Sequence, residues 1–225
     1  MKKKKISKLA KIFDYRVFGN DFTKITGAIP IMIYFRLKKL FVNKKALKSL
    51  RHKPYLIAAN HTNLLDVVVV ALTFPFRRIR FVATSDLFRK KFLNFLFKFF
   101  GCIKVDKNNV SMNTFKGVKE GLKYGHCVCV FPEGTIAGGE ELTDYKSGII
   151  LMSSVSKVPI VPIYIPVRKK WYNRQIVVMG DIFDINDYIK SPIPTMEEIQ
   201  LATQKLKEIE FDLKEKYEKE LLWTI

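Results

Sequence analysis

Three short apolar runs, each cut off by a cluster of polar residues, constrain what this chain can fold into. Tyr55-Leu56-Ile57-Ala58-Ala59 ends in Asn60-His61, Gly101-Cys102-Ile103 in Lys104, Asp106 and Lys107, and Cys127-Val128-Cys129-Val130-Phe131 in Pro132-Glu133-Gly134-Thr135. Runs of this length bounded by turn residues read as strands, and the helical patterns between them read as crossovers. Strands alternating with helices give an α/β fold, a mostly parallel sheet flanked by helices. Ligands of open α/β sheets gather beyond the carboxyl ends of the strands. One sheet edge would therefore collect all three polar clusters.

The remaining elements fit that frame. Residues 67–74 continue as a helix, Arg80-Phe81-Val82-Ala83 reads as a strand, and residues 111–124 form a helix with Phe115, Val118 and Leu122 at core spacing. Strands near 159–166 and 175–179 finish the sheet, with the pairs Pro159/Pro162 and Pro192/Pro194 confining their segments to edges, strand ends or turns. From Thr195 a long helix is signalled by a capping box with Glu198 and by Ile199, Ala202, Leu206, Ile209, Leu213 and Tyr217 along one face; its alternating charges read as a solvated outer face. No Walker loop, GxGxxG or internal repeat is present. At 225 residues the chain is long enough for one core that buries about 70% of its unfolded surface. The expected organisation is a basic, amphipathic segment over 1–48, an α/β core over 49–193 and a carboxyl-terminal helix over 194–225.

The first polar cluster, Asn60-His61-Thr62-Asn63-Leu64-Leu65-Asp66, sets a histidine and an aspartate five positions apart. On one helix such residues lie roughly 140° apart. The pair is therefore expected to span a turn, with His61 in a loop and Asp66 in the first turn of the next helix. A carboxylate placed there can hold an imidazole in one tautomer, as in hydrolase triads. The same residues can also merely cap a helix, so the pattern alone does not decide.

The ordered series does more. NHTNLLD, GCIKVDK, FPEGT followed by Tyr145-Lys146-Ser147-Gly148, and Val158-Pro159-Ile160-Val161-Pro162-Ile163 together resemble the four blocks of the lysophosphatidate acyltransferases (1-acylglycerol-3-phosphate acyltransferases). The resemblance covers residues 55–167 and implies the glycerolipid acyltransferase fold. It also implies that His61 and Asp66 are the catalytic pair, that the basic residue after Val105-Asp106, Lys107, contacts phosphate, and that Glu133, Gly134 and Thr135 form the acceptor-binding loop. Three positions depart from the family pattern: Asn63 replaces serine, Lys107 replaces arginine and Ile136 replaces the arginine after FPEGT. Lysine binds phosphate as a point charge and not as a bidentate fork, and Lys104 and Lys146 are placed to compensate. Donors for an oxyanion are not assigned.

A formal charge of +19 calls for an anionic partner, and its distribution favours a membrane. Lysines 2, 3, 4, 5, 8 and 11 form a basic arm, and further charges flank apolar stretches at Arg36, Lys38, Lys39, Lys44 and Lys45 and at Arg89, Lys90, Lys91 and Lys98. Each contributes about 1 kcal/mol near an anionic leaflet. The longest candidate span, residues 25–35, stops far short of the ~20 residues needed to cross a bilayer, and the amino terminus lacks a signal-peptide pattern. Residues 25–42 and 91–100, the latter with Phe92, Phe95 and Phe99 at helical spacing, are expected as interfacial amphipathic helices. The protein would lie peripherally on the cytoplasmic face. Three cysteines argue for a reducing compartment. Cys127 and Cys129 read as strand packing and not as a metal site, and His52 and His126 as surface or turn residues.

The reaction expected from the resemblance is transfer of an acyl group from an acyl carrier protein or coenzyme A thioester, a co-substrate and not a bound cofactor, to lysophosphatidate. His61 would act as the general base. Glycerol-3-phosphate or another lysophospholipid stands as an alternative acceptor. A noncatalytic binder of nucleic acid or anionic membranes stands as the alternative of another class, although no nucleic acid is expected as a partner.

Overall fold

The computed structural model describes residues 6, 14, 17–106, 111–136, 144–168, 170–191 and 193–222. The basic arm's lysines and Lys107 lie outside these. Among the described residues the elements run α1 (Phe18–Thr26), α2 (Ala28–Phe35), β1 (Lys38–Phe41), α3 (Lys44–Ser49), β2 (Leu56–Ala59), α4 (Asp66–Thr73), β3 (Ile79–Thr84), α5 (Lys91–Phe99), β4 (Ile103–Val105), α6 (Met112–Lys123), β5 (Cys127–Val130), α7 (Gly148–Ser156), β6 (Ile160–Tyr164), β7 (Ile176–Met179) and α8 (Met196–Leu222).

The strands form one seven-stranded sheet in the order β1-β7-β6-β2-β5-β3-β4. Five strands, β6 to β4, run parallel, while β7 pairs antiparallel with β6 and carries β1 alongside it. Side chains alternate across the pleat. Ile57, Ala59, Cys127, Cys129, Val161 and Ile163 face α2 and α4, whereas Leu56, Ala58, Val128, Val130 and Ile160 face α6, α7 and α8. Both faces are covered, which is why these strands read as continuous apolar runs. Each fully buried aliphatic side chain contributes about 1.5–3 kcal/mol.

The helices that follow β2 and β5 go to opposite faces. The chain leaves β2 for α4 on one face and leaves β5 for α7 on the other, yet β2 and β5 are neighbours. Neighbouring strands with diverging connections open a crevice at their carboxyl ends. Residues 60–66 and 131–135 occupy that crevice.

At the opposite sheet edge α1 is fastened to the start of β3. Asp21 accepts two bonds from the Arg78 guanidinium, at 3.0 and 2.5 Å, and the Asn20 amide donates to the Ile79 carbonyl. Burial there pulls the Lys24 ammonium down to about 8 as it donates to the Arg77 carbonyl. Gly19 lets α1 meet α5: a Cβ at this position would lie 2.4 Å from the Phe99 ring and 2.6 Å from its carbonyl oxygen. Even alanine would separate the two helices.

Several expectations change. The helix expected across 25–42 ends at Phe35, where Arg36 turns left-handed (φ 46°), and Lys38–Phe41 joins the sheet as β1. The basic residues there do not prevent a strand because Lys39 reaches out to donate to the Thr73 carbonyl at 2.6 Å. Pro162 lies within an interior strand and not at an edge or end. Its missing amide faces Gly180, one residue past β7, whose own N–H bonds the Pro162 carbonyl at 2.9 Å. His126 is buried and not a surface residue; its ring lies 3.5 Å from Asp14, far away in sequence. The capping box of α8 forms as expected, Thr195 Oγ1 accepting from Glu198 N–H and Glu198 accepting from Thr195 N–H. No described helix is long and apolar enough to cross a membrane.

Candidate active site

The chain leaves β2 through a turn that the sequence builds from polar side chains. Asn60, almost fully buried, exchanges two bonds with the backbone of Ile165, donating to its carbonyl at 3.0 Å and accepting from its N–H at 2.7 Å. Asn63 accepts from Leu65 N–H at 3.0 Å, closing the turn that starts α4. Serine makes the same local closure, so this departure from the family pattern keeps the turn.

Asp66 opens α4 with its carboxylate folded back over the turn. One oxygen, Oδ2, accepts the Thr62 and Asn63 N–H groups, both at 2.7 Å, and lies 3.2 Å from His61 Nδ1. A carboxylate held by amides is an acceptor, so Nδ1 carries the proton and the lone pair belongs to Nε2. The two side chains are 13% and 5% exposed, enough to let a substrate reach the ring while the carboxylate stays dry. The imidazole stacks on Phe131 at 4.1 Å between centroids, and Phe131 stacks on Phe81.

From β5 the loop brings Glu133 beside this turn. Its buried carboxylate accepts the His61 N–H at 3.4 Å. Gly134 is left-handed (φ 69°), and Lys146 packs across it so closely that a Cβ would lie 3.0 Å from Lys146 Cε. The Lys146 N–H holds the Pro132 carbonyl at 2.9 Å, while Thr135 and Ile136 are exposed. His61, Asp66, Glu133, Gly134 and Lys146 are thus gathered at one sheet edge. Lys104 is not among them: it sits exposed on β4, with β5 and β3 between it and β2, about 14 Å across the sheet at the usual strand spacing.

Two further residues support the loop from below. Glu210 of α8 is fully buried and accepts a hydrogen bond from the Tyr145 hydroxyl. Burial raises the Glu210 carboxyl to about 8, the Tyr145 bond lowering it and the nearby Glu133 carboxylate raising it. Burial and the two carboxylates push the Tyr145 phenol up as well. The expectation that charges on this helix face solvent fails at Glu210. The signal was present: Glu210 falls on the same helical face as Leu206 and Leu213, so its apolar row carries one acid.

Similarity to known proteins agrees with this geometry. The acyltransferase family model matches residues 41–166, more than half of the chain. A probable 1-acyl-sn-glycerol-3-phosphate acyltransferase of Mycoplasma pneumoniae is 26% identical over 64% of this chain and 55% of its own length. The 1-acyl-sn-glycerol-3-phosphate acyltransferase of Bacillus subtilis is 28% identical over 60% of this chain and 66% of its own. The chain thus spans between about half and two thirds of the length of these relatives. The crystal structure of the 1-acyl-sn-glycerophosphate acyltransferase from Thermotoga maritima shares the fold with a TM-score of 0.60, at 16% identity over 87% of this chain and 78% of that one. The family model covers more than half of the sequence and the relatives agree with it, so the chain belongs to the acyltransferase family.

Proposed function

We propose that this acyltransferase moves a fatty acyl group from a thioester of acyl carrier protein or coenzyme A to the free hydroxyl of lysophosphatidate, giving phosphatidate. The observation that carries the reading is the His61–Asp66 pair, fixed by two backbone amides at the open end of β2 with Nε2 turned from its orienter. A glycerol hydroxyl is a weak nucleophile at neutral pH. Nε2 of His61 removes its proton as the oxygen attacks the thioester carbonyl, and Asp66 stabilises the imidazolium. The tetrahedral intermediate collapses with loss of the thiolate, which takes the proton back from His61. A base so placed is worth about 10²–10⁴-fold, and no acyl-enzyme is required.

Glu133, Gly134 and Thr135 line the acceptor, with Lys146 and Lys107 supplying positive charge for its phosphate, while Lys104 lies too far along the sheet to take part. The enzyme works as a peripheral protein on the cytoplasmic face of an anionic membrane. In support, the outer sides of α1, α2 and α5 leave Phe18, Phe22, Ile29, Ile33, Phe92 and Phe95 at least half exposed. A second reading, acylation of another lysophospholipid, is favoured by the exposed Ile136 where the family pattern has arginine. Incubating the protein with a panel of lysophospholipids and glycerol-3-phosphate, with labelled acyl thioesters, separates the two by product mass. Phosphatidate is the expected main product. A different main product moves the assignment to its acceptor, and none at all rejects acyl transfer to these alcohols.

A further inference from the structure

The connection from β6 to β7 is the part of the molecule that the reaction leaves unexplained. Trp171 and Tyr172 stand 72% and 51% exposed, their rings edge to face at 5.8 Å, with Lys170 Nζ 5.6 Å over the Tyr172 ring. Large rings are not left in water at a turn tip without consequence, and Trp and Tyr next to Lys and Arg suit the border between headgroups and acyl chains.

This connection is tied to α2. Arg168 lies 4.4 Å over the Tyr34 ring and 5.0 Å over Phe35 and donates to the Tyr34 carbonyl, while Arg36 donates to the Tyr172 carbonyl at 3.4 Å. On α2, Ile29 and Ile33 are 71% and 68% exposed. An aliphatic helix face is thereby continuous with a rim of aromatic and basic side chains. The charge is of one sign: no Asp or Glu occurs from residue 22 to 65 or from 145 to 180. An acidic protein partner could meet the cations, but the paired aliphatic face and ring border fit a bilayer better.

The same connection is bonded to the catalytic turn. Asn60, the neighbour of His61, holds Ile165 at both its N–H and its carbonyl, and the Gln175 amide holds the Pro166 carbonyl at 3.0 Å. Whatever surface this loop rests on therefore fixes the height of His61 above it.

We infer that residues 167–168 and 170–174 and the outer face of α2 form one docking surface for an anionic lipid bilayer, with Trp171 and Tyr172 at headgroup depth and Arg168 and Arg174 on lipid phosphates, and that the Asn60–Ile165 bonds register His61 to that surface. The inference rests on the membrane reading given above and adds where the membrane sits.

The test uses the full chain with Trp223→Phe, which leaves Trp171 as the one tryptophan. Vesicles of phosphatidylcholine with phosphatidylglycerol should shift Trp171 emission to the blue, and lipids with a shallow quencher should quench it; neutral vesicles should do so less. Trp171→Ser with Tyr172→Ser should weaken vesicle binding about tenfold, the equivalent of 1.4 kcal/mol. Turnover on vesicle-borne lysolipid should fall with it, and turnover on detergent-dispersed lysolipid should stay within about twofold. Unmoved Trp171 emission on a protein that still floats with vesicles overturns the inference. So does a double variant that binds like its parent, or one that loses activity equally in detergent. Acylation without vesicle flotation ends the docking surface and leaves the reaction standing. A shifted Trp171 with no acylated product does the reverse.

Discussion

Two histidine–aspartate pairs sit at opposite ends of the same sheet. His61 and Asp66 meet at 3.2 Å after β2, five residues apart, with the ring partly open. His126 and Asp14 meet at 3.5 Å just before β5, each side chain 2% exposed and from distant parts of the chain. The residue types are the same, and the settings differ in every respect that matters for chemistry. The first pair has its carboxylate fixed by the backbone of its own turn and stands in a crevice between diverging helices. The second ties Asp14 to the foot of β5 with both side chains buried, where no substrate can reach. Proximity of a base and an acid is thus not a site; the end of the sheet and access to the ring decide.

That contrast can be broken most directly at His61. His61→Ala should lower turnover at least 100-fold with the circular dichroism spectrum and melting temperature kept, and Asp66→Asn should lose activity with little change in lipid binding. A folded His61→Ala enzyme with near-normal turnover would end the general-base assignment. The second pair should behave in the opposite sense. His126→Ala or Asp14→Asn removes one member of a buried pair and should cost about 3 kcal/mol in denaturant unfolding, while turnover per folded molecule stays within about twofold. Lost turnover at full stability would make this pair part of the site.

Glu210 gives the finest distinction, since it is buried and among the described residues has no ion-pair partner. Its folded carboxyl keeps its proton up to about 8, against an ordinary value of 4.5. Between these values the folded protein holds a proton that the unfolded chain has released. Stability therefore falls as pH rises through that window, by at most about 1.4 kcal/mol per unit. Glu210→Gln keeps an acceptor for Tyr145 but cannot ionise. Its melting temperature should match the parent near pH 4 and exceed it increasingly toward pH 8; parallel curves would show that Glu210 is already ionised in the fold.

What the sequence made legible follows the same physical line. The β2 strand, the His61–Asp66 turn and the Thr195–Glu198 cap are local, each encoded within a few residues, and their geometry is found where the pattern put it. The edge shared by the His61–Asp66 turn and Glu133 was legible from two apolar runs ending alike, whereas the third run leads to Lys104, which lies two strands beyond β5. Partners separated by much of the chain were not: Asp14 with His126, and Tyr145 with Glu210, meet only because the sheet and α8 bring them together. β1 escaped because Lys38 and Lys39 read as an interfacial charge cluster, and only pairing with β7 makes them a strand. Glu210 was in principle visible as an acid within an apolar helical row.

The stack of His61 on Phe131 and its bond to Asp66 have a consequence across repeated turnovers. A half-rotation of the imidazole would place a carbon against Asp66 and turn Nε2 from the crevice. A hydrogen bond to a charged group is worth about 1.5–3 kcal/mol, so the turned ring would be roughly 10 to 150 times rarer than the facing one. Phe131 covers one ring face and leaves the flat faces little room to sweep. In the proposed reaction each new acceptor would then meet the same nitrogen already aimed, and no part of the cycle would be spent searching for it.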